Sequence, residues 1–222
     1  MKPVFAFLLA ALLAWGAAFE VSVTGEGVRA MILIPGLASS GEVWDGTVAH
    51  FRERYQCHVI ALAGFAGVTP ERDAGRLPDR AVEALARYIK EKKLKRPVIV
   101  GHSLGGVVAL ALAARHPELA GDLVIADALP NLGAVYGPGF DAAAMRDGML
   151  RQSREQYDAF VKGGGTMRRM VTDEGQVAKL IEWSLRSDPA TVAHAMFDVM
   201  TSDLTAELPK IRARALVLGT WA

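Results

Sequence analysis

Ser103 stands between glycines in the stretch VIVGHSLGGVVALALAARHP, residues 98 to 117, where an apolar run of strand type passes into one of helix type. As a bare string G-x-S-x-G is weak, since at average glycine usage about one chain of this length in ten contains it by chance. Its setting is more specific. A serine on a tight strand-to-helix turn holds its hydroxyl exposed, and Gly101 and Gly105 allow strand and helix to approach closely on either side of it. At the start of a helix, backbone N–H groups and the positive end of the dipole face an anion forming beside that hydroxyl, as happens when a nucleophile attacks an acyl carbon. The competing structural role is a helix-capping serine in an ordinary Gly-rich turn.

A serine hydroxyl needs a base to take its proton, and the base needs a carboxylate to hold its tautomer. Five histidines are available. His102 adjoins Ser103 within the turn, so its side chain is expected to point away from the site and to pack structurally. His50 and His58 fall on or near the first helix and the third strand, and His116 joins Pro117 at a helix stop; these read as surface or capping residues. His194, on a helix with Ala193, Met196, Phe197 and Met200 as its apolar face, approaches the mouth of a site only if that helix is part of a lid, and lids move while a base must be placed firmly.

The elements around the serine follow one pattern. FEVSVTG alternates like an edge strand, and AMILIPG is a continuous apolar run ending at Pro35 and Gly36. Val43, Trp44, Val48 and Phe51 recur at helical spacing before CHVIALAG returns to strand character. Pro78 suits the first turn of a helix whose face is Val82, Leu85 and Ile89, with positive charge in KEKKLKR at its end. PVIV is the next buried strand, Leu104 to Ala114 is apolar on every side, and GDLVIAD is a further strand. Such alternation predicts an α/β fold, a mainly parallel sheet with helices on both faces. From Leu129 to about Pro209 the pattern is helical, with a helix start at Asp188 and Pro189, and ARALVLG at 213 to 219 resumes buried-strand composition.

GHSLGG after a buried strand, with LIPGLASSGEVWDG near the N-terminus, resembles the α/β-hydrolase superfamily over residues 28 to 219. The resemblance implies two oxyanion-hole donors, the backbone amides of Leu37 and Leu104, which lower an acyl-transfer barrier by several kcal/mol (removing one costs about 3–4). It implies an acid after the strand that follows the cap, or, as in some relatives, after the strand that follows the nucleophile helix, where Asp127 ends LVIAD. A loop-starting aspartate bonded to nearby N–H groups is the structural alternative for Asp127. The histidine is implied after a final strand. Only TWA follows ARALVLG, so the expectation is a C-terminally truncated α/β-hydrolase lacking its last strand and helices and its general base, on the order of 50 residues. The expected domains are a signal peptide at 1–18, the first part of the hydrolase core at 19–128, a helical cap at 129–209 and a core strand at 210–222. An apolar strand left at the sheet edge predicts marginal solubility.

A net charge of +1, from 25 basic and 24 acidic residues, gives no electrostatic reason for nucleic acid or an anionic membrane as partner. One cysteine, Cys57, excludes an internal disulfide, and with no HExxH, Cys/His cluster or GxGxxG no metal or organic cofactor is expected. Lys2, the run VFAFLLAALLAW and the small residues GAA read as a signal peptide cleaved near Ala18, so the protein is expected to be exported, periplasmic or secreted, with no stable membrane span afterwards; an uncleaved anchor is the alternative. Met145, Met149, Met167, Met170, Met196 and Met200, beside Phe160, Trp183 and Phe197, would suit a lid over an apolar pocket, or simply fill gaps between small helices. The leading expectation is a serine hydrolase of apolar carboxylic esters, through an acyl-enzyme on Ser103, weak or inactive without its histidine. The alternatives are a hydrolase of amides, lactones or carbon–carbon bonds, and a non-catalytic ligand-binding relative.

Overall fold

A computed structural model describes residues 13–14, 18–71 and 75–219. Seven strands form one sheet: β1 (Leu13–Ala14), β2 (Phe19–Thr24), β3 (Arg29–Ile34), β4 (Tyr55–Leu62), β5 (Val98–His102), β6 (Leu123–Ala126) and β7 (Ala215–Leu218), in the order β1-β2-β4-β3-β5-β6-β7. β4, β3, β5, β6 and β7 run parallel, and β2 lies antiparallel to β4. Parallel neighbours require crossovers, which the helices supply. They are α1 (Asp45–Phe51), α2 (Leu77–Glu91) and α3 (Leu104–Arg115), then α4 (Ala142–Leu150), α5 (Arg154–Gly163), α6 (Gly165–Met170), α7 (Glu174–Leu185) and α8 (Pro189–Thr201), the last five all between β6 and β7. This is the mainly parallel α/β sheet expected, with a helical insertion consistent with a cap.

The period-2 alternation of strand side chains divides the core. Ile32, Ile34, Ile60, Leu62, Ile99, Leu123 and Ile125 face α2, α3 and α8 in one buried cluster. Met31, Leu33, Cys57, Val98 and Val100 face the opposite way, onto Trp44, Val48 and Phe51 of α1 and the 3-10 turn before it. Helix α3 is buried from Leu104 to Ala114, as an all-round apolar helix must be.

The apolar strand expected at the sheet edge is β7, and all four of its residues are exposed, because β6 flanks it on one side and no described strand on the other. The expected leader, residues 1–18, falls mostly outside the described residues; within it, Leu13 and Ala14 pair with Val21 and Glu20 of β2, and Ala18 is buried. Among the described residues no helix is long and apolar enough to cross a membrane.

Candidate active site

The sheet register brings the sequence-predicted site residues to one edge. Ile34 of β3 pairs with Gly101 of β5, His102 with Ala126 of β6, and Ala126 with Leu218 of β7. Leu37, Ser103, Leu104 and Asp127 therefore all follow strand ends on the same side of the sheet.

Ser103 has φ 52° and ψ −119°, a positive-φ conformation that a residue with a side chain rarely adopts. It caps no helix amide with its side chain, which removes the helix-capping reading, since capping residues sit in the extended region and accept from the first turn. The surrounding backbone holds the turn. The Ser103 N–H donates to the Ala126 carbonyl at 2.9 Å, and the Ser103 carbonyl accepts from Gly106 at 2.8 Å and Val107 at 3.1 Å. Glycines make the approach possible: a Cβ on Gly101 would strike the Gly105 carbonyl, and one on Gly105 the Ile34 carbonyl. Gly106, which the sequence reading passed over, is needed for the same reason, since a Cβ there would collide with that of Ala128. Its signal was the doubled glycine after Leu104.

Leu104 is the first residue of α3, so its N–H has no partner within the helix. Leu37 lies in the loop after β3. That loop is braced by a Ser39 N–H bond to the Gly36 carbonyl at 3.4 Å, by a Ser39 hydroxyl bond to the Leu37 carbonyl at 3.2 Å, and by Ala38 at φ 52°. Neither the Leu37 nor the Leu104 amide is taken up by a hydrogen bond among the described residues. Asp127, exposed at the end of β6, has φ 49° and donates its N–H to the Leu218 carbonyl at 2.8 Å.

The histidines divide sharply. His58 is buried on β4, its Nδ1 2.6 Å from the Tyr88 hydroxyl and its Nε2 3.0 Å from Gln56 Oε1. An amide oxygen only accepts, so Nε2 carries the proton and Nδ1 accepts from Tyr88. His50 stacks edge-on against Phe51, and His116 lies 3.3 Å from Glu83. His194 is exposed on α8 and faces a cleft of about 540 Å³ with Arg76, Arg80, Thr191, Phe197 and Asp198. No residue of the Ser103 turn or of the loop at 35–40 lines that cleft, so its volume does not mark the chemistry. The His102 ring packs against Gly36, at the base of the Leu37 loop. Burial lowers the His102 pKa, against the pull of the Asp127 carboxylate.

Of the six methionines, Met200 is buried and Met149 packs on the main core, while Met170, like Phe160, is exposed. No group of three or more His, Cys, Asp and Glu side chains is arranged for a metal among the described residues.

The family model for the alpha/beta hydrolase family matches residues 31–222, and the chain belongs to that family. It is 25% identical over 211 residues to a pimeloyl-[acyl-carrier protein] methyl ester esterase of Nitrosomonas europaea, covering 91% of this chain and 80% of that protein. It is 26% identical over 152 residues to the strigolactone esterase RMS3 of Pisum sativum, covering 66% of this chain and 57% of that one. Among solved structures, a hydrolase from Pseudomonas aeruginosa PA01 superposes with a TM-score of 0.77 at 18% identity, over 94% of this chain and 79% of that one. An enol-lactonase from Burkholderia xenovorans LB400 does so with 0.76 at 18%, over 93% and 80%. At that identity the structures speak for the fold alone.

Proposed function

We propose that this hydrolase acts on small apolar carboxylic esters, with Ser103 as nucleophile and the Leu37 and Leu104 amides as the oxyanion hole. The observation that carries the reading is a serine held at φ 52° at the carboxyl edge of a parallel sheet, with the unclaimed backbone amides of Leu37 and Leu104 following strand ends on that same edge. Strain of this kind costs about 1–3 kcal/mol and persists where the neighbourhood over-determines it, as at reactive sites. Two preorganised donors would then stabilise the tetrahedral oxyanion, and water would release the acyl group. The esterase names of the two curated relatives support an ester as the bond attacked. Asp127 is the carboxylate we assign to the site. It shares the strand edge with Ser103, and its charge reaches the neighbouring His102.

The base is a separate matter. His50, His58, His116 and His194 are engaged away from the Ser103 turn, and His102, the next residue, has its ring on Gly36. Turnover by this chain alone should accordingly be weak, which also keeps alive a ligand-binding reading of the same pocket. Export and a helical cap over residues 129–209 complete the proposal.

Intact-mass analysis after exposure to a fluorophosphonate tests it. The expected result is slow addition of one equivalent to the wild-type protein and none to Ser103→Ala. A folded wild-type protein that takes up no reagent favours the ligand-binding reading, and an adduct that survives in Ser103→Ala removes the nucleophile assignment.

A further inference from the structure

The residue before the serine has no role in the reading so far, and its surroundings give it one. Strand alternation places His102 on the face of Val98 and Val100, opposite α3, beside the end of β3. There its ring meets Gly36. A Cβ built on Gly36 would lie 2.9 Å from His102 Nδ1, 3.3 Å from Cε1 and 3.4 Å from Ser103 Cβ. Gly36 is not among the positive-φ residues, so its backbone torsions do not demand glycine. What demands it is the imidazole. The Nδ1 atom is buried and has no hydrogen-bond partner, so the ring is held there by shape and not by a bond of its own.

We propose that His102 is a positioning residue. Its imidazole is the spacer on which Gly36 rests, and it sets the height of the loop at 36–39 so that the Leu37 amide meets the Leu104 amide across Ser103. The two Ser39 bonds and the positive-φ turn at Ala38 make that loop a braced unit, so a shift at Gly36 is passed on to the Leu37 N–H and not absorbed locally. An oxyanion donor displaced by even an ångström loses most of its effect on the transition state and little of its effect on ground-state binding. The role rests on the reading of Ser103 as a nucleophile, and the test separates the two.

The test is a double-mutant cycle on the wild-type protein, Gly36→Ala, His102→Ala and the pair together, following fluorophosphonate inactivation of Ser103 as kinact and KI. Thermal melting confirms that each variant is folded. Gly36→Ala forces the loop off the ring and should lower kinact by about tenfold or more with KI nearly unchanged. His102→Ala lets the loop sink and should lower kinact by a similar factor. The double variant, whose added methyl occupies part of the vacated ring space, should react faster than Gly36→Ala alone. His102→Asn, which keeps a polar atom near the position of Nδ1, should recover most of the rate lost in His102→Ala. Singles whose effects simply multiply in the double, or a His102→Ala protein labelled at the wild-type rate, overturn the spacer and leave the nucleophile standing. A wild-type protein unlabelled at Ser103 overturns the nucleophile first, and the spacer with it. Should His102→Ala fail to fold, the comparison of Gly36→Ala with Gly36→Ala/His102→Ser decides, since the shorter side chain vacates the Nδ1 position and must relieve the methyl if the contact is the cause.

Discussion

Ser103 bears a positive φ because the atoms around it leave the turn nowhere to relax: its N–H is tied to β6 and its carbonyl to α3, while Gly101, Gly105 and Gly106 press strand, helix and loop together. Another polar residue, this one buried, is held as tightly but for a different purpose. His58 sits between Tyr88 and Gln56, and burial, with a smaller contribution from the Lys92 charge, lowers its pKa from 6.5 to about 4. The folded state therefore resists protonation that the unfolded chain accepts. Stability should be full above about pH 6.5 and fall progressively as the pH drops toward 4, by on the order of 3 kcal/mol from this group. Urea melts at a series of pH values measure it, and His58→Gln should flatten the profile across that window; an unchanged slope would assign the loss to other groups. At this scale the serine turn was legible because its determinants are neighbours in the chain. The His102 contact with Gly36 was not, because it joins two strands that only the sheet brings together.

Helix α2 shows how an element can look complete in the sequence and still depend on a distant one. Val82, Leu85 and Ile89 announce its buried face, and the structure buries all three. Its N-cap residue, Arg76, has no side chain able to cap, and the first amide, Leu77 N–H, donates instead to Asp198 Oδ2 at 2.9 Å. Arg76 reaches back to the end of α8, with Nε 3.4 Å from Asp198 Oδ1 and Nη2 bonded to Thr201 and Ser202. One carboxylate thus caps a core helix and fastens the helical insertion to it. Asp198 is buried, and burial raises its pKa despite the Leu77 N–H and the Arg76 charge. Asp198→Ala should cost about 2–3 kcal/mol in a denaturant melt, leaving an arginine and a helix amide unsatisfied. Asp198→Asn, which still accepts from Leu77, should recover part of that loss, and equal losses in both variants would rule out the capping bond as the source. A lone aspartate in a helix carries no sequence mark of this duty.

Across the whole molecule the alternation of strand and helix was legible because parallel strands are uniformly apolar and their crossovers are amphipathic or fully buried. The apolar edge strand was legible too: Leu216, Val217 and Leu218 of β7 are 55%, 64% and 49% exposed, with no described strand beyond them. An apolar edge of this kind pairs readily with another chain. Val217→Lys should therefore reduce concentration-dependent light scattering without lowering the melting temperature, and unchanged scattering would place self-association elsewhere. Fold, edge and strained turn meet in one claim, that the carboxyl side of the sheet presents a serine hydroxyl to two waiting amides. The most direct measurement is a crystal structure of the phosphonylated protein. We expect the phosphorus bonded to Ser103 Oγ, with its non-bridging oxygen within about 3 Å of both the Leu37 and Leu104 nitrogens. A phosphonyl oxygen turned toward solvent, or an adduct on any other residue, would contradict it.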